Sequence, residues 1–199
     1  MKKKNYIFFK IPMPNIFLIH GVAGYPEENW FPYIKKELEK LNNNVIIPQF
    51  PTPQDQTLTK WLEIITKYKK FITPETVFVG HSLGVAFILN LIEKHPIKAA
   101  FFVAGFVGKT GNQFDPSMKT FTMKNFNWTQ IKKNCQKFTL FHSNNDPYVP
   151  RKKAEELAIY LNTNITLIKG AGHFNKASGY ETFEKLLNDI KLSFTPKKP

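Results

Sequence analysis

Apolar positions along this chain fall into two alternating kinds of run. Short, unbroken apolar stretches near 15–20, 44–50, 76–81, 98–104, 137–142 and 164–169 have the length of buried strands. Between them, apolar residues recur at helical spacing. Phe31, Ile34, Leu38 and Leu41 form one stripe, and Leu58, Leu62, Ile65 and Tyr68 a second, with Thr57 favoured over Thr59 as its N-cap. The segment 85–92 is apolar on most faces and is expected to be the most buried helix. Ala154, Leu157, Ala158 and Leu161, then Phe183, Leu186, Leu187 and Ile190, give the last two stripes. Continuous apolar strands alternating with amphipathic helices predict an α/β fold, a mainly parallel sheet of about six strands with helices on both faces.

One segment has no clear period. Residues 106–128 carry Phe106, Phe114, Met118, Phe121, Met123, Phe126 and Trp128, an aromatic content high for a loop. Two readings stand side by side: these side chains cover the sheet edge, or they line an apolar pocket together with Trp30 and Phe174.

The densest chemical signal is Gly80-His81-Ser82-Leu83-Gly84, set between the run Thr76–Val79 and the apolar helix. Glycine-x-serine-x-glycine at a strand-to-helix turn is the nucleophile elbow of the α/β hydrolases. The flanking glycines let strand and helix approach closely, and the serine takes strained backbone angles at a helix N-terminus. A serine hydroxyl needs a histidine base and an acid that orients it, expected downstream in the order acid, then histidine.

The only histidines after Ser82 are His95, His142 and His173, and the only aspartates Asp115, Asp146 and Asp189. His95 precedes Pro96 at a helix end, and His142 lies inside an apolar strand. His173 follows a strand through Gly170-Ala171-Gly172 and is the candidate base. Asp146, in the turn-rich Ser143–Pro147 just past a strand, is the favoured acid. Asp115 also follows a strand, at a greater distance, and Asp189 falls on the last helix. For an oxyanion, the backbone N–H of Leu83 is one expected donor and that of Val22, in His20-Gly21-Val22-Ala23-Gly24, the other. His20 then braces that loop rather than acting as a base.

With those residues placed, the chain resembles the retinoblastoma-binding-protein and YdeN type of serine hydrolases, from about Ile16 to Ile190. The resemblance rests on His20-Gly21, Asn29-Trp30-Phe31-Pro32, Pro48-Gln49-Phe50-Pro51, Trp61, the elbow, Asp146–Pro150 and Gly172-His173-Phe174. It implies an α/β-hydrolase fold with little or no lid, Ser82 as nucleophile, Asp146 as acid and His173 as base. It also implies hydrolysis of small carboxylic esters, thioesters or amides without a cofactor. A protein-interaction module on the same fold is the alternative.

Composition adds bounds. A chain of 199 residues, 42% hydrophobic, fits an N-terminal extension over 1–14 and one domain over 15–199. Met1–Phe9 has the look of a signal peptide, but Lys10, Pro12 and Pro14 interrupt it with no small-residue cleavage site. No apolar run approaches the ~20 residues of a membrane-spanning helix. The single cysteine, Cys135, is expected to be an inert helix-end residue in a reducing compartment, the cytoplasm. No metal-ligand spacing is present. The net charge of +13 is almost all lysine, Arg151 being the only arginine, and the lysines are scattered. A solvated basic surface, with no specific nucleic acid partner and no membrane insertion, is the expectation. Small acyl compounds are the expected substrates; oligomeric state is not encoded in these patterns.

Overall fold

A computed structural model describes residues 14–135 and 137–194. The expected N-terminal extension lies outside the described residues, apart from Pro14. Among the described residues, six strands form one parallel sheet in the order β2-β1-β3-β4-β5-β6. They are β1 (Asn15–Ile19), β2 (Asn44–Ile46), β3 (Val77–His81), β4 (Ala99–Val103), β5 (Phe138–Ser143) and β6 (Ile165–Ile168). Every residue of β3 and β4 is buried, which is why those runs are apolar without alternation. The edge strand β6 stays partly exposed.

Among the described residues, seven α-helices cover the two faces. α1 (Phe31–Glu39) and α7 (Glu184–Phe194) pack on one face through Phe31, Ile34, Leu38, Leu186, Leu187 and Ile190. The other face carries α2 (Leu58–Thr66), α3 (Leu83–Ile92), α4 (Asp115–Thr122), α5 (Trp128–Asn134) and α6 (Arg151–Leu161). Alternate strand residues feed the two cores, Phe17, Phe78 and Phe102 one, Leu18, Val79 and Phe101 the other. All ten residues of α3 are buried, as expected of the central helix, and Thr57 caps α2 by accepting from the Lys60 N–H.

Three details differ from the pattern-based expectation. β2 stops at Ile46, because Pro48 and Pro51 cannot continue a ladder and the Phe50 N–H turns to His20 instead. Leu41 lies beyond α1 and is exposed. Residues 106–128 contain α4 and the start of α5. α4 buries only Met118, Phe121 and Thr122, too short a stretch to show a period. Cys135 closes α5, buried, and burial pushes its thiol up to about 12, which leaves it unreactive.

The approach of α3 to β1 is what positions the elbow. A Cβ on Gly84 would sit 2.3 Å from the Ile19 carbonyl oxygen and 2.7 Å from that of His20. Both obstacles are main chain and cannot rotate away. Gly84→Ala is therefore expected to cost about 3 kcal/mol of folding stability by forcing helix and strand apart. Urea unfolding measures this directly, and a midpoint equal to that of wild type would show that the contact is not tight.

Candidate active site

Ser82, between β3 and α3, has φ 55° and ψ −121°, a region that non-glycine residues rarely occupy. The turn is held because the Ser82 N–H donates to the Val103 carbonyl (2.9 Å) and the Val85 N–H to the Ser82 carbonyl (3.0 Å). Beside it runs Gly21: a Cβ there would lie 2.9 Å from Ser82 Cβ, so the loop after β1 passes directly against the serine. That loop is braced by His20, which is fully buried. The Phe50 N–H donates to His20 Nε2 (3.0 Å), leaving the proton on Nδ1 to be donated to the Gly21 carbonyl (2.9 Å). Burial holds His20 down to about 4, against its bond to the Gly21 carbonyl, so it is a neutral strut at ordinary pH.

Asp146 lies in the β5–α6 loop with its side chain 1% exposed. Its Oδ1 accepts the N–H groups of Tyr148 (2.9 Å) and Val149 (3.0 Å), and its Oδ2 accepts His173 Nδ1–H (2.8 Å). Burial pushes the carboxyl up, but the His173 bond and the two backbone donors outweigh it, and the group ends below its ordinary value. With Nδ1 donating to a carboxylate, His173 Nε2 carries the free lone pair.

The His173 loop is tied down on several sides. Asn145 Oδ1 accepts the Gly172 N–H (2.9 Å) and Asn144 Oδ1 the Gly170 N–H (2.8 Å), stapling this loop to the one that carries Asp146. His81 Nε2–H donates to the His173 carbonyl (2.8 Å), and Trp30 Nε1–H to that of Phe174 (3.0 Å). His81 is held neutral, down to about 3, by burial first and by the neighbouring His173 second. Asp115 is engaged elsewhere: its carboxylate accepts from Thr110 and Gly111 and closes the loop before α4. His142 is a buried strand residue that donates Nε2–H to the Val149 carbonyl (3.1 Å).

Ser82 and His173 open into one cavity of about 390 Å³, with Gly21 and Val22 beside them. Its apolar wall is Phe106, Phe114 and Met118; Glu28 and Asn29 add polar groups. Burial pushes the Glu28 carboxyl up to about 7, against the hydrogen bond it accepts from Asn29. Val22 occupies a turn closed by the Gly24 N–H on the Gly21 carbonyl (3.3 Å), and the adjacent Ala23 N–H is taken by Thr52 Oγ1 (2.7 Å). Leu83 is the first residue of α3, where an N–H has no acceptor within the helix. Among the described residues, no group of three or more His, Cys, Asp or Glu could hold a metal ion.

The expected aromatic pocket is only partly where the sequence reading put it. Trp30, Phe121 and Phe174 are fully buried in the two cores, and Phe126 lines a separate surface depression beside Trp128. Large aromatics are worth more to a core than to a wet wall. Trp30 packs on Phe31 and Phe183, Phe121 on Trp61 and Phe87, and Phe174 on Tyr180 and Phe183. Trp30 contributes from the second layer instead. Trp30→Phe removes the donor to the Phe174 carbonyl, and is expected to cost about 1–3 kcal/mol in stability and to loosen the His173 loop. Thermal unfolding together with ester turnover would check both, and an unchanged melting temperature would contradict the bond. Among the residues that sequence reading missed, Glu28, Asn144 and Asn145 sit in loops with no periodic signal, and His81 ends β3 within the elbow itself.

The chain is 24% identical over 178 residues to serine hydrolase RBBP9 of Rattus norvegicus, covering 89% of this chain and 92% of that protein. It is 24% identical over 187 residues to the putative hydrolase YdeN of Bacillus subtilis strain 168, covering 92% and 97%. The crystal structure of the ydeN gene product superposes with a TM-score of 0.86 at 23% identity, covering 92% of this chain and all of that one, which shows the shared fold. A family model described as serine hydrolase matches residues 16–191, from β1 through most of α7. The chain belongs to the serine hydrolase family.

Proposed function

We propose that the protein cleaves small carboxylic esters, thioesters or amides through an acyl-enzyme on Ser82. The observation that carries this reading is the Asp146–His173 hydrogen bond of 2.8 Å next to Ser82 in one cavity at the C-terminal ends of the strands. Ser82 Oγ attacks the substrate carbonyl carbon while its proton passes to His173 Nε2. Asp146 keeps Nδ1 protonated and offsets the positive charge that forms on the imidazole. The carbonyl oxygen, now negative, accepts from the N–H groups of Leu83 and Val22, each such donor being worth about 3 kcal/mol to the barrier.

Collapse of the tetrahedral intermediate breaks the bond to the leaving group, which takes the proton from His173. Water then adds to the acyl-enzyme by the same route, and the C–Oγ bond breaks to return Ser82. The cavity volume suits a small substrate, and Phe106, Phe114 and Met118 offer an apolar seat for a short acyl chain. The buried Cys135, the only cysteine, supports a reducing compartment such as the cytoplasm. Among the described residues no helix is long and apolar enough to cross a membrane.

The test is pre-steady-state hydrolysis of p-nitrophenyl butyrate with mass spectrometry of the quenched protein. A burst of p-nitrophenol with a butyryl adduct on Ser82 is expected. Turnover with the adduct on another residue, or no turnover by folded protein, would overturn the reading.

A further inference from the structure

Glu28 is an unusual group for this cavity. The chain carries a formal charge of +13, yet the polar wall beside Ser82 holds a partly buried carboxyl. Among the described residues it makes no ion pair; the nearby Lys176, on the same cavity, is held by Glu181 at 2.7 Å. Its one side-chain partner is the neutral amide of Asn29.

Its position is fixed from both sides. The Glu28 N–H donates to the Tyr25 carbonyl (3.2 Å) and its carbonyl accepts the Phe31 N–H (3.1 Å), which locks the residue into the turn that enters α1. The carboxyl folds back over Gly24, where a Cβ would come within 2.6 Å of Oε1, so the loop beside the serine leaves room for this side chain. A partly buried carboxylate with no cationic partner has lost hydration that a cationic ligand would offset.

We propose that Glu28 is a specificity-determining residue that receives an ammonium group on the substrate, so that the preferred esters or amides carry a positively charged amino group on the part that fills the cavity. This rests on the serine hydrolase reading of the same cavity. The ammonium donates to the carboxylate, while Phe106, Phe114 and Met118 cover the intervening methylenes.

The experiment compares p-nitrophenyl 6-aminohexanoate with p-nitrophenyl heptanoate, a neutral ester of the same length. A charge-assisted hydrogen bond predicts that wild type favours the amino ester by about tenfold to a hundredfold in kcat/KM. In Glu28→Gln, with the fold verified by circular dichroism, that ratio is expected to fall by about tenfold or more. An equal ratio in both proteins, or a wild-type preference for heptanoate, would overturn the assignment.

Calorimetric binding of n-hexylamine to Ser82→Ala, and to Ser82→Ala with Glu28→Gln, reads the carboxylate without any turnover. Amine binding that is lost with Glu28→Gln, in a protein that hydrolyses neither ester, would overturn the esterase reading and retain the amine site. Ester hydrolysis with no amine preference and no amine binding would do the reverse. Absence of both activities would overturn both.

Discussion

Ser82→Ala is expected to lower ester turnover by a factor on the order of 10⁵ to 10⁶ while leaving the fold intact. The size follows from the role: without Oγ there is no acyl-enzyme, and only binding and the oxyanion donors remain to assist direct attack by water. The intact fold follows from the geometry. Among the described residues the Ser82 hydroxyl takes part in no hydrogen bond, whereas its backbone N–H and carbonyl hold the elbow. Alanine keeps the Cβ that packs near Gly21 and inherits the same backbone angles. The stability change is therefore expected to stay below about 1 kcal/mol. Steady-state hydrolysis of p-nitrophenyl butyrate beside thermal unfolding measures both, and residual turnover within a hundredfold of wild type in a clean preparation would remove Ser82 from the chemistry.

Asp146→Asn has the next largest expected effect, about 10⁴-fold in kcat. Two backbone N–H groups, of Tyr148 and Val149, point at Oδ1, so an asparagine there must turn its carbonyl oxygen toward them. Its NH₂ then faces His173 Nδ1, which has to become the acceptor. The imidazole proton moves to Nε2, and the lone pair that should take the Ser82 proton is gone. The substitution is nearly isosteric, so the loss comes from the tautomer rather than from collapse of the loop. Heteronuclear NMR of the His173 ring nitrogens beside kcat would check it: protonation at Nε2 in the variant is expected, and an unchanged Nδ1–H tautomer with full activity would contradict the assignment.

Much of this architecture was legible in the hydrophobic pattern. Strands such as β3 and β4 are buried on both faces and so read as unbroken apolar runs. The stripes of α6 and α7 read cleanly because a single face of each meets the sheet. Ser82, Asp146 and His173 could be nominated for another reason: so few aspartates and histidines follow the elbow that elimination among them reaches one of each. Volume and direction were not readable. Whether an aromatic residue faces a core or a cavity depends on how its element is rotated against its neighbours. Phe121 and Met118 both lie on α4, yet Phe121 meets Trp61 while Met118 also reaches the cavity. The carboxyl of Glu28 belongs to the same class, since a loop residue carries no period and only the folded turn brings it beside Ser82.

The proposed chemistry turns on Ser82 being an activated nucleophile. The most direct measurement is labelling by a fluorophosphonate probe, comparing wild type with Ser82→Ala and His173→Ala, with the adduct located by peptide mass spectrometry. Rapid labelling of wild type on the peptide that contains Ser82 is expected, with none in either variant. Absent labelling in folded wild type, or labelling that persists in Ser82→Ala, would contradict it.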